Sequence, residues 1–364
     1  MTVLAQTQHL LEEGIRVGLH IGAQLYVARN RETLADLALG DAAPGVPMQT
    51  DTLTLWLSAC KPVTAVAIAQ QYEQGKLDLD ARVARYIPNF AHDGKHTITV
   101  RHLLTHTAGF RTTRFEYPRD DWDTIIRKIC DTPIERKWTP GEKAGYHIDT
   151  SWFILGELVQ RLTDTPLSQY LRRHIFEPLG MRDSWIGMPP EQYDAYGDRL
   201  AQMPDTSKNP PEPLGWHERE WVTHTRPSGN GYGPMRELAR FYEMLLSHGE
   251  LDNARILQPE TVDLFTARHR GNMFDHTFQH TVDWGLGFII NSNRHGPETI
   301  PYGYGRHASE NTFGHSGSQS SAAFADPAHD LAVALLFNGT PGEKAHQQRV
   351  RATLTALYED LDLI

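Results

Sequence analysis

Cysteine, long apolar runs and clusters of positive charge are all scarce in this sequence. Its 364 residues include two cysteines, Cys60 and Cys130, which are too few to build a disulfide framework. No uninterrupted stretch of roughly 18 apolar residues occurs, so no membrane span is expected. The net charge is −10 and Lys and Arg form no run, which argues against a surface that binds nucleic acids or anionic membranes.

The first residues of the chain also lack the features of an export signal. They contain no basic segment, no continuous apolar core and no small-residue cleavage site, and two acids, Glu12 and Glu13, follow soon after. The sequence therefore predicts no secretory signal, and we expect a cytoplasmic protein.

Predicted strands cluster at both ends of the chain, and predicted helices fill the middle. Apolar periodicity predicts strands over 21–28, 33–39, 284–290, 320–325 and 331–337, and terminal helices over 4–18 and 349–361. This order predicts a mixed α/β (α+β) fold. One domain is a sheet domain built from 1–57 and 281–364, and the other, 58–280, is mainly helical. Within the second domain, 188–228 carries seven prolines and little periodicity, as is typical of an active-site lid or binding loop.

A serine and a lysine three residues apart open the first long helix of the central region. On a helix, Ser58 and Lys61 share one face, so an amine lies beside a hydroxyl. A lysine whose pKa is lowered by burial or by nearby positive potential can take the proton of a serine and activate it as a nucleophile. The start of the helix supplies such potential and free N–H groups for an oxyanion. Taken alone, this spacing also fits an ordinary polar helix start.

Histidines and glycines offer no comparable signal for a metal or a cofactor. The pairs His102/His106 and His276/His280 have helical spacing but no third ligand, so we expect no metal site. The glycine-rich run 229–233 follows no predicted Rossmann strand and lacks a P-loop lysine, so no phosphate site is expected. Within that run, Tyr232 fits either a pocket wall or buried packing.

Further short motifs occur in an order that resembles the serine β-lactamase and penicillin-binding-protein superfamily, in particular its class C β-lactamase and family VIII esterase branch. The similarity spans roughly residues 20–340. In sequence order the motifs are Ser58-x-x-Lys61, Gly75-Lys76-Leu77-Asp78-Leu79-Asp80, residues 98–109 with Leu103-Leu104-Thr105-His106-Thr107-Ala108-Gly109, Pro140-Gly141 before Tyr146, Glu177-Pro178-Leu179-Gly180-Met181, and His315-Ser316-Gly317 followed by a strand with Asp326-Pro327.

The resemblance implies a fold and a role for each matching residue. The fold would be an antiparallel sheet flanked by terminal helices, with a mainly helical domain beside it. Ser58 would be the acylated nucleophile, Lys61 its general base, and Tyr146 the residue that passes the proton to the leaving group. His315 would open the third motif. Gly317 would let that strand approach the substrate, and the main-chain N–H groups of Ser58 and Ser318 would form the oxyanion hole.

Two positions depart from the pattern of that superfamily. Its second motif places Asn or Ser two residues after the tyrosine, where this chain has Ile148, followed by Asp149. Either Asp149 substitutes through a one-residue insertion or the polar contact is missing. The third motif usually begins with Lys, which helps to bind a substrate carboxylate, and here it begins with His315, which is mostly neutral near pH 7. Both departures favour ester chemistry over β-lactamase or cell-wall peptidase activity.

We therefore expect a serine hydrolase that works through an acyl-Ser58 intermediate, most simply on a carboxylic ester. An acyltransferase on the same scaffold is the main alternative, followed by an amidase or D-peptidase and by a non-catalytic binding protein. The expected partner is a small-molecule acyl ester or amide, with no nucleic acid and no membrane. Serine acyl transfer needs no cofactor. The acyl group, the acceptor and the oligomeric state stay open.

Overall fold

The computed structural model describes residues 4–364. Residues 1–3, which open the predicted sheet domain and the segment judged to lack an export signal, lie outside the described residues. Helices are spread along the whole described chain. They are α1 (Ala5–Arg16), α2 (Lys61–Glu73), α3 (Val100–Leu104), α4 (Trp122–Asp131), α5 (Thr150–Thr163), α6 (Leu167–Leu171), α7 (Pro190–Tyr196), α8 (Arg219–Thr223), α9 (Met235–Leu246), α10 (Pro259–Thr266) and α11 (Glu343–Asp360).

Shorter helical segments connect these elements. Six are 3-10 turns, at Leu57–Cys60, Val83–Arg85, Pro88–Ala91, Lys95–Thr97, Gly197–Arg199 and Asn293–His295, and a π-helical stretch covers Arg172–Phe176. Within residues 4–364, no helix combines the length and the apolar character that crossing a bilayer requires.

The strands divide into one large sheet and several small ones. They are β1 (Gly22–Arg29), β2 (Glu32–Ala43), β3 (Val46–Pro47), β4 (Thr54–Leu55), β5 (Trp185–Ile186), β6 (Pro204–Asp205), β7 (Glu212–Pro213), β8 (Gly231–Gly233), β9 (Glu250–Leu251), β10 (Ala254–Arg255), β11 (Phe274–Asp275), β12 (His280–Thr281), β13 (Asp283–Trp284), β14 (Ile289–Ile290), β15 (Phe313–Gly317), β16 (Ser321–Asp326) and β17 (Leu331–Phe337).

Eight strands form the large sheet in the order β13-β14-β15-β16-β17-β1-β2-β3, and every neighbouring pair is antiparallel. The N-terminal strand β1 lies beside β17, with Ala23 opposite Phe337 and Arg29 opposite Leu331. The predicted mixed fold with an antiparallel sheet is therefore confirmed. Its strands come from 22–47 and 283–337, whereas the division of the chain into two domains stays a prediction.

Both faces of the large sheet are covered, which explains the continuous apolar run of β17. Leu335 and the residues two positions before and after it pack with residues of α1 and α11, such as Leu11 and Leu354. Leu336 and the residues in phase with it pack into the second core, which contains α2 and α9. Because successive side chains on a strand point to opposite faces, a strand buried on both faces needs apolar residues at every position.

Segment 284–290 differs most from its predicted structure. A single strand was predicted there from the apolar run, but the chain forms a tight hairpin between β13 and β14. Gly285 donates to the carbonyl of Phe288 at 2.9 Å, and Gly287 has a φ of +89°, which favours glycine. Apolar residues on both sides of the turn hid it from a reading of hydrophobicity.

The C-terminal helix also begins earlier than predicted. It was expected from Arg349, yet α11 starts at Glu343, directly after Gly342. Its first two turns carry polar and charged residues, which interrupt the apolar periodicity on which the prediction relied. This earlier start places the first turn of α11 beside Ser318, where it takes part in the site described below.

Candidate active site

Ser58 lies in the 3-10 turn Leu57–Cys60, which leads directly into α2. The residue before it, Leu57, has a φ of +49°, a left-handed conformation that costs a non-glycine residue about 1 kcal/mol or more. The turn is held against the large sheet, since Ser321 of β16 donates to the carbonyl of Trp56 at 2.7 Å. The sheet therefore fixes the strained backbone that presents Ser58.

Gly317 at the end of β15 allows the sheet to approach this turn. A Cβ atom at Gly317 would lie 2.4 Å from the carbonyl oxygen of Trp56 and 3.0 Å from Cβ of Leu57. The glycine was expected to make room for a substrate, but the space beside it is filled by the turn that carries Ser58. Among residues 4–364, no main-chain carbonyl accepts a hydrogen bond from the N–H of Ser58 or of Ser318, so both donors are available to a ligand.

Lys61, the first residue of α2, is fully buried and lies beside Ser58. Its Nζ is 3.0 Å from Oγ of Ser58 and 2.5 Å from the main-chain carbonyl of Ser228. Burial lowers the pKa of Lys61 to about 7, although the negative charge of Asp149 acts in the opposite direction. Near neutral pH a large share of this amine is therefore uncharged and able to accept a proton.

Tyr146 covers the same pair of residues from the other side. Its ring stacks on Phe278 with a centroid separation of 4.8 Å, and Nζ of Lys61 lies 5.1 Å from the centroid of the Tyr146 ring. Burial raises the pKa of Tyr146 well above its usual range, and the nearby hydroxyl of Ser58 offsets only part of that rise. Tyr146 is thus a neutral phenol that can donate and accept a proton in the same event.

A buried ion pair behind Tyr146 holds it in place. The carboxylate of Asp275 accepts the main-chain N–H of Tyr146 at 3.1 Å and those of Thr277 and Phe278 at 2.9 and 3.0 Å. Its other oxygen lies 3.0 Å from the guanidinium of Arg270, and both side chains are almost fully buried. Asp275 therefore fixes Tyr146 together with the loop that packs against its ring.

Among the described residues, Asp149 forms hydrogen bonds with Arg226 and Ser228 and none with Lys61. Arg226 donates to both of its carboxylate oxygens at 2.8 Å, and the hydroxyl of Ser228 donates to one of them. Burial by itself would raise the pKa of Asp149, but the charge and hydrogen bonds of Arg226 outweigh it, so the pKa is lowered. Asp149 acts on Lys61 through its charge and through Ser228, while Ile148 is exposed at the rim of the cavity.

His315 lies on β15, beside Tyr146 and Trp284, and is neutral. Burial, together with the positive charge of the adjacent Lys61, lowers the pKa of His315 to about 3. Its Nδ1 lies 2.8 Å from the carbonyl of Ser316, which makes Nδ1 the protonated nitrogen. Nε2 then carries a lone pair and has no partner among residues 4–364.

A cavity of about 390 Å³ opens onto Ser58. Sequence reasoning identified Ser58, Tyr146, His315 and Ser318 among its walls, but it missed the walls that come from loops, from β14 and β15 and from α11. Isolated loop residues carry no periodic or motif signal. The walls that were missed are Thr277, Phe278, Ile289, Pro301, Tyr302, Ser316, Glu343 and Gln347.

Tyr232 lies away from this chemistry, whereas His106 packs against Tyr146 with 4.7 Å between the ring centroids. Tyr232 is buried in β8 and donates its hydroxyl to the carbonyl of Trp216, so it packs in the core and does not line the cavity. Nδ1 of His102 accepts the N–H of Thr99, and Nδ1 of His106 accepts that of His147. Throughout the part of the chain that the structure describes, no three His, Cys, Asp or Glu residues are grouped to hold a metal ion.

Comparison with known proteins gives matches over nearly the whole chain. A penicillin-binding protein homologue from Caulobacter crescentus superposes with a TM-score of 0.83 at 29% identity, over 99% of this chain and 98% of that one. A family VIII carboxylesterase superposes with a TM-score of 0.80 at 26% identity, over 99% and 98% of the two chains. An N-acetylmuramyl-L-alanine amidase from Bacillus subtilis (strain 168) is 26% identical, with 99% of this chain and 89% of that protein covered.

A comparison with family models agrees with the resemblance that the sequence motifs indicated. A family model described as Beta-lactamase matches residues 9–357. Since that match includes the turn with Ser58, the buried Lys61 and the strand with His315, this chain belongs to the Beta-lactamase family and is a serine hydrolase of that fold.

Proposed function

We propose that the protein is a carboxylic ester hydrolase that works through an acyl-Ser58 intermediate. Lys61 accepts the proton of Ser58 as Oγ bonds to the ester carbonyl carbon. The main-chain N–H groups of Ser58 and Ser318 stabilise the oxyanion. When the bond to the alcohol breaks, the proton passes through Tyr146 to the departing oxygen. Water then attacks the acyl group, gives its proton to Lys61, and releases the acid as Oγ regains a proton.

The observation that carries this proposal is the 3.0 Å contact between the Lys61 amine and the Ser58 hydroxyl. Burial brings the pKa of that amine to about 7, and a general base works best when its pKa lies near the operating pH. Tyr146 lines the same cavity as Ser58, with its ring centroid 5.1 Å from Nζ of Lys61, and its neutral phenol suits it to relay a proton without holding a charge. The nucleophile Ser58 and the relay Tyr146 therefore both lie beside the base Lys61.

The walls of the cavity favour an ester over a β-lactam or a peptide that ends in a carboxylate. Such substrates carry a negative charge that needs a cation or several donors. The third motif offers the neutral His315 in place of a lysine, and no Lys or Arg belongs to the residues that line the cavity. The similarity to a family VIII carboxylesterase over 99% of this chain supports the same substrate class.

The test is the turnover of a p-nitrophenyl ester beside the p-nitroanilide of the same acid. We expect the ester to react about a hundredfold faster or more, because an amine must be protonated as it leaves and depends more strongly on the general acid. A burst of nitrophenol equal to the enzyme concentration would report acyl-Ser58. An anilide hydrolysed as fast as the ester would overturn the proposal in favour of an amidase. Slow hydrolysis that an added alcohol or amine converts into rapid acyl transfer would favour an acyltransferase.

Substitutions of Asp149 and of its ion-pair partner Arg226 should shift the pH profile of kcat/KM in opposite directions. Activity requires the uncharged amine of Lys61, so kcat/KM should rise through a pH of about 7. Asp149→Asn removes a charge that stabilises the ammonium, so the pKa of Lys61 falls and the rising limb should move about one unit lower. Arg226→Gln removes a positive charge and leaves Asp149 unpaired, so the limb should move higher by a similar amount.

Asp36→Asn is the matched control for this experiment, since Asp36 forms a 2.8 Å ion pair with Arg236 on the surface of the molecule. It should leave the rising limb of the kcat/KM profile where it is in the wild type. Shifts of the same sign in Asp149→Asn and Arg226→Gln would contradict the assignment of this limb to Lys61.

A further inference from the structure

We propose that the cavity in front of Ser58 selects a substrate that carries a cationic group, such as an ammonium, and that Glu343 is its counter-ion. The inference rests on the proposed function, because it describes the substrate of the same acyl-Ser58 site. It goes beyond that function by assigning a charge to the group that accompanies the ester.

Among the described residues that line the cavity, Glu343 is the one carboxylic acid, and neither Lys nor Arg is present. The imidazole of His315 also faces the cavity, but it is uncharged. The amine of Lys61 lies behind Ser58 and Tyr146 and does not belong to the walls. The remaining walls are apolar, hydroxyl or amide side chains, namely Ser58, Tyr146, Ile148, Thr277, Phe278, Ile289, Pro301, Tyr302, Ser316, Ser318 and Gln347.

Two hydrogen bonds hold the carboxylate of Glu343 at the edge of the reaction site. The hydroxyl of Tyr302 donates to Oε2 at 2.6 Å, and the hydroxyl of Ser318 donates to Oε1 at 3.4 Å. Ser318 is also the residue whose main-chain N–H is proposed to bind the oxyanion. Each carboxylate oxygen has about two acceptor positions, so both keep capacity for a ligand donor. A cation bound there lies close to the ester that Ser58 attacks.

Aromatic rings complete the surroundings that a cation requires. The ring of Phe278 stacks on Tyr146 at 4.8 Å, and its centroid lies 5.9 Å from that of Tyr302. Tyr302 is in turn hydrogen-bonded to Glu343. The faces of such rings attract cations, and quaternary ammonium groups in particular are recognised by clustered aromatic rings. The combination discriminates against a substrate carboxylate, which Glu343 repels and which no Lys or Arg in the walls would neutralise.

A series of three acetate esters of similar shape tests the proposal. Acetylcholine carries a quaternary nitrogen, 3,3-dimethylbutyl acetate has a carbon atom in the same place, and 3-acetoxypropanoate carries a carboxylate. Hydrolysis is followed in a pH-stat. For the wild type we expect kcat/KM to be about tenfold higher for the cationic than for the neutral ester, and lowest for the anionic ester. In Glu343→Gln the cationic and neutral esters should differ by less than about twofold, and the anionic ester should improve.

Glu260→Gln is the matched control, because Glu260 is likewise an exposed acid in the first turn of a helix, α10, and is not part of the cavity. It should keep the wild-type preference. If the neutral ester is hydrolysed as well as the cationic one by wild type and Glu343→Gln alike, the inference is wrong while the proposed function stands.

Binding measured without turnover separates the two proposals further. In Ser58→Ala, calorimetry should show that acetylcholine binds more tightly than 3,3-dimethylbutyl acetate, and that the added Glu343→Gln removes the difference. Selective binding of the cation by a protein that hydrolyses none of the three esters would support the cationic subsite and contradict the ester hydrolase. Equal binding of both esters would overturn the cationic subsite.

Discussion

Ser58→Ala should reduce ester turnover by about 10⁴- to 10⁶-fold and abolish covalent labelling by a fluorophosphonate. The substitution removes the hydroxyl that lies 3.0 Å from the Lys61 amine and that forms the acyl intermediate. Residual turnover would come from the oxyanion donors and from substrate binding, which remain. Ser58 is half-buried and the side chain is small, so the thermal unfolding temperature should change little.

Intact-protein mass spectrometry provides the measurement, and Cys60 provides the control. Cys60 is a second potential nucleophile only two residues away, but it is fully buried, and burial raises the pKa of its thiol to about 11. A thiol in that state is unreactive near neutral pH. Cys60→Ala should therefore keep a single adduct, whereas Ser58→Ala should show none. A folded Ser58→Ala protein that still carries one adduct per chain would disprove the role of Ser58.

The parts of the fold that could be predicted from sequence are those governed by local periodicity. Strands β16 and β17 occur where the apolar pattern placed them, because each buries the side chains that create the pattern. The hairpin at 284–290 could not be found in this way, since Gly285 and Gly287 turn the chain inside an apolar run. Similarly, polar residues in the first turns of α11 concealed its true start at Glu343.

In the candidate site, too, the residues that could be predicted are those placed by local spacing. The neighbourhood of Ser58 and Lys61 follows from helical spacing alone, because both residues lie within one turn. Asp149 acquires its partner Arg226 from 77 positions further along the chain, and only tertiary packing reveals that this pair is the one beside Lys61. Glu343, the acidic residue of the cavity walls, lies in the first turn of α11, where the polar sequence predicts no helix.

Lys61→Met should lower kcat/KM for the ester by about 10²- to 10⁴-fold, the usual contribution of a general base. Methionine has nearly the same length but cannot accept a proton. The limb of the pH profile that rises near pH 7 should vanish with it, because the titrating group is gone. Stability should stay close to that of the wild type. The carbonyl of Ser228 loses a donor, but a buried amine with an unfavourable environment is replaced by an apolar side chain.

Lys95 supplies a control of the same kind, and it separates a catalytic lysine from a structural one. It too is fully buried, and its amine donates to the carbonyls of Cys130 at 2.9 Å and of Thr132, well away from the cavity walls. Lys95→Met should leave two carbonyls without a donor and lower the free energy of unfolding by about 1–3 kcal/mol, while the folded enzyme keeps its kcat/KM and pH profile. Lys61→Met should instead keep its stability and lose its activity and the rising limb of its pH profile. If it merely unfolded more easily and kept its activity and its pH limb, Lys61 would be a structural residue like Lys95, and Ser58 would need another base.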